Sequence, residues 1–243
     1  MKTAQAAAPE LSIVIPVYNE AASILVQYAE LTQVLEAMGI SYEIVFVDDG
    51  SQDETFRILE DLKRKDARVI VVRLKKNFGQ ALALRAGFDR SRGPKIVSMD
   101  GDLQYDPRDI PRLLEGLSQG FDVVTSWRVE RSENYLTRTL PSYVANRIIR
   151  ALSGVPIHDF GTTFKAYRRE ALRRLDLEDG LHRFIPVLLN EMGFKIAEVP
   201  VRCRPRRFGT SHYGLGRVWG VLLDMIFVKF VSSYLSRPFR MFG

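Results

Sequence analysis

The sequence predicts an α/β protein with a mostly parallel sheet that helices cover on both faces. Two observations lead to this fold class. Short apolar segments alternate along the first half of the chain with longer segments whose apolar residues recur at helical spacing. The connections between them are short and rich in Asp, Asn, Ser and Gly. Because successive parallel strands need a crossover, usually a helix, this alternation favours one sheet covered on both sides.

The first half of the chain predicts five strands separated by four helices. The predicted strands are residues 11–16, 42–47, 69–74, 95–99 and 121–126, each a short apolar run. The predicted helices are residues 21–38, 53–67, a segment that follows 77–80 and ends near Arg90, and 107–116. Gly39 ends the first helix, Asp53 caps the second, and Pro107 stands at the start of the fourth.

The second half is less regular. It predicts a charged loop at residues 127–131, helices at 135–152, 168–175 and 181–192, and a last strand at 195–201. Arg138 and Ser142 are four residues apart and would share one face of the first of these helices. Residues 155–167 predict no regular element.

Length and composition are those of one globular domain. The chain has 243 residues, 46% hydrophobic and 26% charged, which is ordinary for an α/β protein with a proper core. Its single cysteine, Cys203, cannot form an intrachain disulfide, which fits a reducing compartment. Residues 1–10 are rich in alanine and lack the apolar run of a signal peptide, so we expect a loose tail.

Three acid-bearing loops follow predicted strands, at residues 16–20, 48–51 and 100–104. In such sheets ligands bind beyond the carboxyl ends of the strands, so these loops would share one edge. In an extended backbone Asp100 and Asp102 would point to the same side, and Gly101 would let a ligand approach closely. Their carboxylates and the amide oxygen of Gln104 suit Mg²⁺ or Mn²⁺. The alternative is a solvated Asp-Gly turn that closes a strand.

Several familiar phosphate and metal motifs are absent. No strand is followed by G-x-G-x-x-G or G-x-x-x-x-G-K-S/T, and the sequence has no C-x-x-C, H-E-x-x-H or G-x-S-x-G. The three histidines are widely separated in the sequence. Bound phosphates would therefore be held by a metal ion and by Arg or Lys, not by a glycine-rich loop.

The positive charge is concentrated at the C-terminus. The net charge is +6, but residues 202–243 alone hold eight Lys or Arg against one acid. Within them, residues 216–236 place apolar side chains at helical spacing, interrupted by Arg217, Asp224 and Lys229. This pattern favours an amphipathic helix on an anionic membrane surface over a membrane span, with a helix packed on the protein's own core as the alternative. Nucleic acid is disfavoured as a partner, because aliphatic residues separate the basic ones.

Five motifs together resemble glycosyltransferase family 2, inverting enzymes with a GT-A type nucleotide-sugar-binding fold. They are residues 16–20, 47–51, 77–80 and 100–104 and the pattern Arg206-x-x-Gly209-x-Ser211. Within that family they look like the polyprenyl-phosphate glycosyltransferases, relatives of dolichyl-phosphate mannose synthase. The resemblance implies sugar transfer from a UDP- or GDP-linked donor to undecaprenyl or dolichyl phosphate. It also implies a divalent cation, Mg²⁺ or Mn²⁺, and a location at the cytoplasmic face of the membrane.

The resemblance assigns roles by position. The nucleotide-sugar would be bound by Pro16, Tyr18, Glu20, Val47, Asp49, Asp100, Gly101, Asp102 and Arg128. Asp102 and Gln104 would hold the metal, and Asp100, Asp102 and Arg128 would be the catalytic residues. The acceptor phosphate would be bound by Arg138, Ser142, Asp159, Lys165 and Arg206. His212 stands where relatives usually carry Lys, and the Q-x-x-R-W signature of processive synthases is absent, which favours a single transfer.

These expectations divide the chain into a flexible tail (1–10), a catalytic domain (11–212) and a basic amphipathic membrane-interface segment (213–243). Peripheral attachment and anchoring by transmembrane helices outside this sequence are both open, as is a homo-oligomer. One rival function is a GT-A enzyme that acts on a sugar or protein hydroxyl, which would need a general base. The other is a catalytically silent nucleotide-binding module recruited to membranes.

Overall fold

A computed structural model of the chain describes residues 8–130, 140–175 and 181–205. The strands are β1 (Leu11–Val17), β2 (Tyr42–Asp48), β3 (Val69–Arg73), β4 (Lys95–Ser98), β5 (Val123–Glu130), β6 (Lys165–Arg168) and β7 (Ile196–Arg202). The helices are α1 (Ile24–Ala37), α2 (Thr55–Lys65), α3 (Gln80–Arg90), α4 (Ile110–Ser118), α5 (Leu140–Ser153), α6 (Arg169–Arg173) and α7 (Ile185–Glu191). The predicted tail and the predicted membrane-interface segment lie mostly or wholly outside the described residues.

One seven-stranded sheet organises the molecule, with strand order β3-β2-β1-β4-β6-β5-β7. Strand β1 lies in the interior of the sheet and pairs in parallel with β2 and β4, while β2 pairs in parallel with β3. The carboxyl ends of these four strands therefore lie along one edge, as the sequence predicts for the acid-bearing loops. The predicted mostly parallel sheet is confirmed, with two antiparallel pairings at β6.

Helices cover both faces of the sheet, because the buried strands send alternate side chains to opposite sides. On one face the apolar residues of α1, α2 and α4 pack against Leu11, Ile13 and Ile15 of β1. On the other face α3, α6 and α7 pack against Val14 of β1 and its neighbours in the sheet. Both layers bury continuous apolar clusters, and this double cover fixes the sheet edge on which the site is built.

The structure corrects the predicted second half in three places. The predicted charged loop 127–131 begins as the end of β5, since Trp127 to Glu130 belong to that strand and pair with β7. Strand β6, which the sequence did not predict, lies between β4 and β5. It contains the buried Lys165, so its sequence lacks the apolar run by which the other strands were predicted. The predicted helix 181–192 is a 3₁₀ turn followed by α7, with Pro186 in the first turn of the helix.

No helix within residues 8–130, 140–175 and 181–205 combines the length and the apolar character that a membrane crossing requires.

Candidate active site

The loops after β1 and β2 are tied to each other at the carboxyl edge of the sheet. The backbone N–H of Asn19 donates to Ser51 Oγ at 2.9 Å, and the N–H of Gln52 donates back to Asn19 Oδ1 at 2.8 Å. The N–H of Glu20 donates to Thr55 Oγ1 at 2.8 Å. Asn19 has a φ of 55°, a left-handed conformation that asparagine tolerates. The two loops therefore form one braced wall.

A cavity of about 570 Å³ opens beside this wall. That volume lies within the range of small-molecule and cofactor sites. Tyr18, which is 37% exposed, forms part of its lining. The cavity is lined by Tyr18, Gly50, Ser51, Gln52, Arg73, Leu74, Lys75, Lys76 and Asn77. Three cations in this lining give the cavity a positive character that suits an anionic ligand.

Asp49 braces the opposite wall of the cavity. Its carboxylate accepts hydrogen bonds from the backbone N–H groups of Phe78 and Gly79 at 2.8 and 2.9 Å. This links the loop after β2 to the segment that begins α3. The sequence expected Val47 and Pro16 to meet the nucleotide too, but both side chains are buried in the sheet. Only their backbone could contribute, since a parallel strand in the middle of a covered sheet points its side chains into the core.

Asp100 is held from two helices. Gln80 Nε2 of α3 donates to its Oδ1 at 2.6 Å, and Gln27 Nε2 of α1 donates to its carbonyl oxygen at 2.7 Å. The residues after it form a bend and not the extended backbone that was expected. Burial, and after it the charge of Asp102, raises the pKa of Asp100 to about 6. The two carboxylates are therefore close enough to repel each other.

Gly101 packs closely against strand β1. A Cβ at this position would lie 2.7 Å from Cγ1 of Val17, so the glycine is needed for packing against β1. Val17 fills the space on the Cβ side of Gly101, and the close approach of a ligand to the Gly101 backbone stays a prediction.

Asp102 and Gln104 lie on one short loop. Asp102 Oδ1 accepts the backbone N–H of Gln104 at 3.1 Å, and the Asp102 side chain is otherwise almost fully buried. A divalent cation would offset the repulsion between the two carboxylates, and carboxylate and amide oxygens are its preferred ligands. The residues present therefore fit Mg²⁺ or Mn²⁺. Among the described residues, no group of three or more His, Cys, Asp or Glu is arranged to hold a metal, so such an ion would need further oxygens from a ligand.

Arg128 and Asp159 form a two-point ion pair on the same rim. Nε and Nη2 of Arg128 donate to the two carboxylate oxygens at 2.6 and 3.0 Å. The Asp159 side chain is 1% exposed and that of Arg128 is 23% exposed. The planar fork of the guanidinium suits this geometry, and it fixes the side-chain direction of Arg128. Although burial opposes its charge, Tyr105 and Asp159 raise the pKa of Arg128 well above its ordinary value, so it stays a cation.

The loop that carries Asp159 is anchored to β7 through Glu198. The backbone N–H groups of His158 and Asp159 both donate to its carboxylate at 2.9 Å. His158 Nδ1 lies 2.7 Å from Glu198 Oε2, and the imidazole stacks on Trp127 with ring centroids 4.4 Å apart. These contacts set the position of Asp159 and, through it, that of Arg128.

Lys165 is not a surface ligand. Its side chain is 1% exposed, and its ammonium donates to the carbonyl oxygen of Thr162. Burial lowers the pKa of Lys165 to about 7, against the opposing influence of Asp159 and Asp100. The burial of Lys165 differs from the exposed position expected of a phosphate ligand, and its ammonium lies within the electrostatic influence of Asp159 and Asp100. Its contact with an acceptor phosphate stays a prediction.

Three of the expected acceptor residues cannot be placed. Arg138 and Arg206 lie outside the described residues, and Ser142 lies in the first turn of α5 with its side chain not described. The sequence assigned no role to three residues that organise the site, namely Gln27, Gln80 and Glu198, although Gln80 belongs to the motif 77–80. A signal existed for Gln27: it is a polar residue on the apolar face of α1, and it is 1% exposed.

The chain matches a known protein family over most of its length. Residues 12–176 match the family described as Glycosyl transferase family 2. A dodecaprenyl-phosphate galacturonate synthase of Rhizobium johnstonii is 37% identical over 242 residues, which is 96% of this chain and 70% of the relative. Undecaprenyl-phosphate 4-deoxy-4-formamido-L-arabinose transferases of Edwardsiella ictaluri and Pseudomonas aeruginosa are 36% and 38% identical over 89% of this chain. The chain spans 66% and 64% of their lengths.

Solved structures resemble the fold. A glucosyl-3-phosphoglycerate synthase from Mycobacterium tuberculosis, in complex with Mn²⁺, UDP and glucosyl-3-phosphoglycerate, has a TM-score of 0.67 at 20% identity. The similarity covers 92% of this chain and 79% of that chain. The same enzyme with Mg²⁺ and UDP has a TM-score of 0.65 at 21% identity, over 89% of this chain and 79% of that one. The GT-A type fold expected from the sequence is confirmed.

Proposed function

This chain belongs to glycosyltransferase family 2, and we propose on that premise that it transfers a sugar from a nucleotide-sugar to a polyprenyl phosphate with inversion. The observation that carries the proposal is the arrangement of one sheet edge. The 570 Å³ cavity and the Asp100–Gln104 loop lie beyond the carboxyl ends of the parallel strands, and the Arg128–Asp159 pair lies at the C-terminal end of β5. The dodecaprenyl-phosphate and undecaprenyl-phosphate relatives support the acceptor class.

The donor nucleotide would occupy the cavity, with Tyr18 and the Asp49-braced loop at its walls. Asp102 and Gln104 would hold Mg²⁺ or Mn²⁺ against the diphosphate, and Asp100 would face the sugar. When bound, the cation would neutralise the charge on the leaving diphosphate. Solved structures of the same fold, crystallised with UDP and either Mn²⁺ or Mg²⁺, support a metal-assisted donor site.

The acceptor needs positioning more than activation. By analogy with phosphorylated side chains, a phosphate monoester has a second pKa of about 6. It therefore binds as an anion and needs little help from a general base. Its oxygen would attack the anomeric carbon as the bond to the nucleoside diphosphate breaks, and the diphosphate would leave with the electron pair. Attack opposite the leaving group inverts the anomeric centre. Arg128, held by Asp159, supplies a cation of fixed direction on this rim, and Arg138, Ser142 and Arg206 are proposed to complete the phosphate site.

The reaction would take place at a membrane surface, because the acceptor is a lipid. The cytoplasmic face, which the family resemblance implies, stays a prediction. The basic segment 213–243 is proposed to lie on the anionic surface, where each Lys or Arg contributes about 1 kcal/mol of attraction. Peripheral binding through this segment is compatible with the sequence pattern of apolar and basic residues.

A transfer assay tests the proposal. The protein would be incubated in detergent micelles with Mn²⁺, undecaprenyl phosphate and each of a panel of UDP- and GDP-linked sugars, and lipid-linked sugar would be extracted and counted. We expect a product with one donor and none with undecaprenol, which lacks the phosphate. A donor chosen beforehand by thermal shift, as the nucleotide-sugar that most raises Tm with Mn²⁺, narrows the panel. Equal transfer to the free alcohol, or to soluble sugar alone, would contradict the lipid-phosphate acceptor.

A further inference from the structure

The loop from Asp100 to Asp106 depends on contacts from outside itself to keep its shape. Leu103, at its centre, has a φ of 63°, a left-handed conformation that costs a residue with a side chain about 1–2 kcal/mol. Such a conformation persists only where the surrounding structure holds it. The contacts that hold this loop therefore decide how well Asp102 and Gln104 are positioned.

Arg204, which lies far from the loop in sequence, contacts it at two points. Its backbone N–H donates to the carbonyl oxygen of Gln104 at 2.9 Å. Its Nη2 donates to Oδ2 of Asp106 at 2.7 Å. The residue before it, Cys203, forms an antiparallel bridge with Tyr105. The chain that leaves β7 therefore runs directly alongside residues 104–106.

The same guanidinium also reaches a helix. Nη1 of Arg204 donates to Oε2 of Glu30 on α1 at 2.7 Å. Helix α1 is fixed to the sheet by fully buried residues such as Leu31 and Leu35. Arg204 is 26% exposed in these pairs, and its two carboxylate partners are 29% and 19% exposed. One half-buried cation thus bridges a rigid helix and a strained loop.

We propose that Arg204 is a positioning residue that holds the Gln104-bearing loop against α1 and thereby sets the affinity of the site for its divalent cation. The bridge acts through the loop backbone, because Arg204 contacts the carbonyl oxygen of Gln104 and the carboxylate of Asp106 and neither of the oxygens proposed as metal ligands. This inference rests on the proposed function, which takes Asp102 and Gln104 as those ligands.

The position of Arg204 in the chain adds a consequence. Two residues later the sequence enters the pattern Arg206-x-x-Gly209-x-Ser211, and the basic segment follows. Arg204 therefore joins the loop from Asp100 to Asp106 to the part of the chain that is proposed to bind the acceptor and the membrane.

The experiment measures Mn²⁺ binding directly. Free Mn²⁺ would be titrated by electron paramagnetic resonance with the full chain in the presence of UDP or GDP, for the wild type, Arg204→Gln and Glu30→Gln. Losing a residue that orients metal ligands from outside the ligand set typically costs 10–100-fold in affinity. We expect about a tenfold rise in the Kd for Mn²⁺ with Arg204→Gln and a smaller rise of about threefold with Glu30→Gln. At saturating Mn²⁺, kcat should stay near the wild-type value.

Arg108→Gln is the matched control. Arg108 binds the same carboxylate of Asp106, at 3.0 and 2.7 Å, but its side chain is 75% exposed. Its replacement should change the Kd for Mn²⁺ by less than about twofold. The double variant Arg204→Gln/Glu30→Gln should bind Mn²⁺ as Arg204→Gln does, because Glu30 acts through Arg204.

The outcomes separate the inference from the function it rests on. Unchanged Mn²⁺ affinity in both Arg204→Gln and Glu30→Gln, with normal binding by the wild type, would overturn the inference and leave the proposed function standing. No Mn²⁺ binding by the wild type with either nucleotide would overturn the metal assignment itself and the inference with it. If Arg204→Gln does not fold, the shift in Glu30→Gln relative to Arg108→Gln decides.

Discussion

The guanidinium of Arg128 grips both carboxylate oxygens of Asp159, at 2.6 and 3.0 Å, although the two residues lie on different elements of the fold. Arg128 belongs to β5, while Asp159 lies on the loop that Glu198 of β7 holds by its backbone. The pair therefore fixes a cation of known direction at the rim of the sheet. The direction of the Arg128 side chain is therefore set by Asp159 and does not require a bound phosphate.

Breaking this pair should destabilise the fold as well as the reaction. Arg128→Met leaves the buried carboxylate of Asp159 without its cation, and we expect the free energy of unfolding to fall by about 3 kcal/mol. The double variant Arg128→Met/Asp159→Asn should recover part of that loss, because it no longer leaves the carboxylate of residue 159 buried without Arg128. Urea unfolding followed by circular dichroism measures both. Sugar transfer should be lost in both variants, and a single variant as stable as the wild type would contradict the ion-pair argument.

Removing the charge of Asp102 should abolish activity without unfolding the protein. In Asp102→Asn the side chain keeps its shape but loses the charge proposed to hold the cation, so we expect kcat to fall by about 10²–10³-fold. Tm without ligand should change little, while the Tm increase given by Mn²⁺ and nucleotide should vanish. Asp89→Asn, on the exposed face of α3, is the control that should behave as the wild type. Normal transfer by Asp102→Asn would refute the metal-ligand assignment.

A methyl group at Gly50 should distort the 570 Å³ cavity that is proposed to bind the donor nucleotide. Gly50 has a φ of 73°, and a Cβ there would lie 2.5 Å from the backbone carbon of Lys76, across the cavity wall. Gly50→Ala should therefore lower the free energy of unfolding by about 3 kcal/mol or more and weaken nucleotide binding measured by calorimetry.

Gly39→Ala separates strain from collision in that experiment. Gly39 has a similar φ of 65°, but nothing lies within 4 Å of the added Cβ. We expect a loss of only about 1–2 kcal/mol, from backbone strain alone, with unchanged nucleotide affinity. Equal effects of the two substitutions would show that the contact with Lys76 is unimportant.

The acid stability of the protein should depend on Asp66, at the end of α2. Burial alone would raise the pKa of Asp66. Hydrogen bonds from Arg68 and Tyr28 lower this pKa by more than burial raises it, so the net shift is downward. A carboxyl with a lowered folded-state pKa stabilises the protein fully above its unfolded pKa of about 3.9, and the effect is lost as pH falls through the folded value. Asp66→Asn should cost about 2 kcal/mol at pH 7 and progressively less below pH 4.

Urea unfolding of wild type and Asp66→Asn at pH 7, 5 and 3 tests this sign. Asp61→Asn is the control, because Asp61 pairs with Arg64 on the surface of the same helix and both are well exposed. Its effect should stay within about 0.5 kcal/mol at every pH. A gap between wild type and Asp66→Asn that widens toward acid would be the opposite of the expected result.

Local pattern was sufficient for the first half of the fold. The predicted strands at 11–16, 42–47, 69–74 and 95–99 each match an observed strand to within about one residue, because each is a short apolar run bounded by turn residues. Helices α1 to α4 also lie within their predicted ranges or extend them by two residues. Strand β6 escaped prediction because it is short and begins with a lysine, which normally indicates a surface position.

The site was only partly accessible to the same reasoning. The sequence alone led to the Asp100-Gly101-Asp102 loop, to Gln104 and to the edge on which they lie, because strand-end loops of a parallel sheet must share that edge. It assigned Lys165 to a phosphate, whereas the fold buries its ammonium. It explained Gly101 by the approach of a ligand, whereas the structure shows that Val17 fills the space where a Cβ would lie.

What the sequence determined by itself is therefore the order of the elements in the first half of the chain, the family and the residues proposed to carry the chemistry, since each depends on residues close together in the chain. Tertiary structure decided which side chains support them. Gln27, Gln80, Glu198 and Arg204 hold the site from positions between 20 and 174 residues away from their partners. Contacts across such separations arise when the sheet and its helices pack, and no local pattern encodes them.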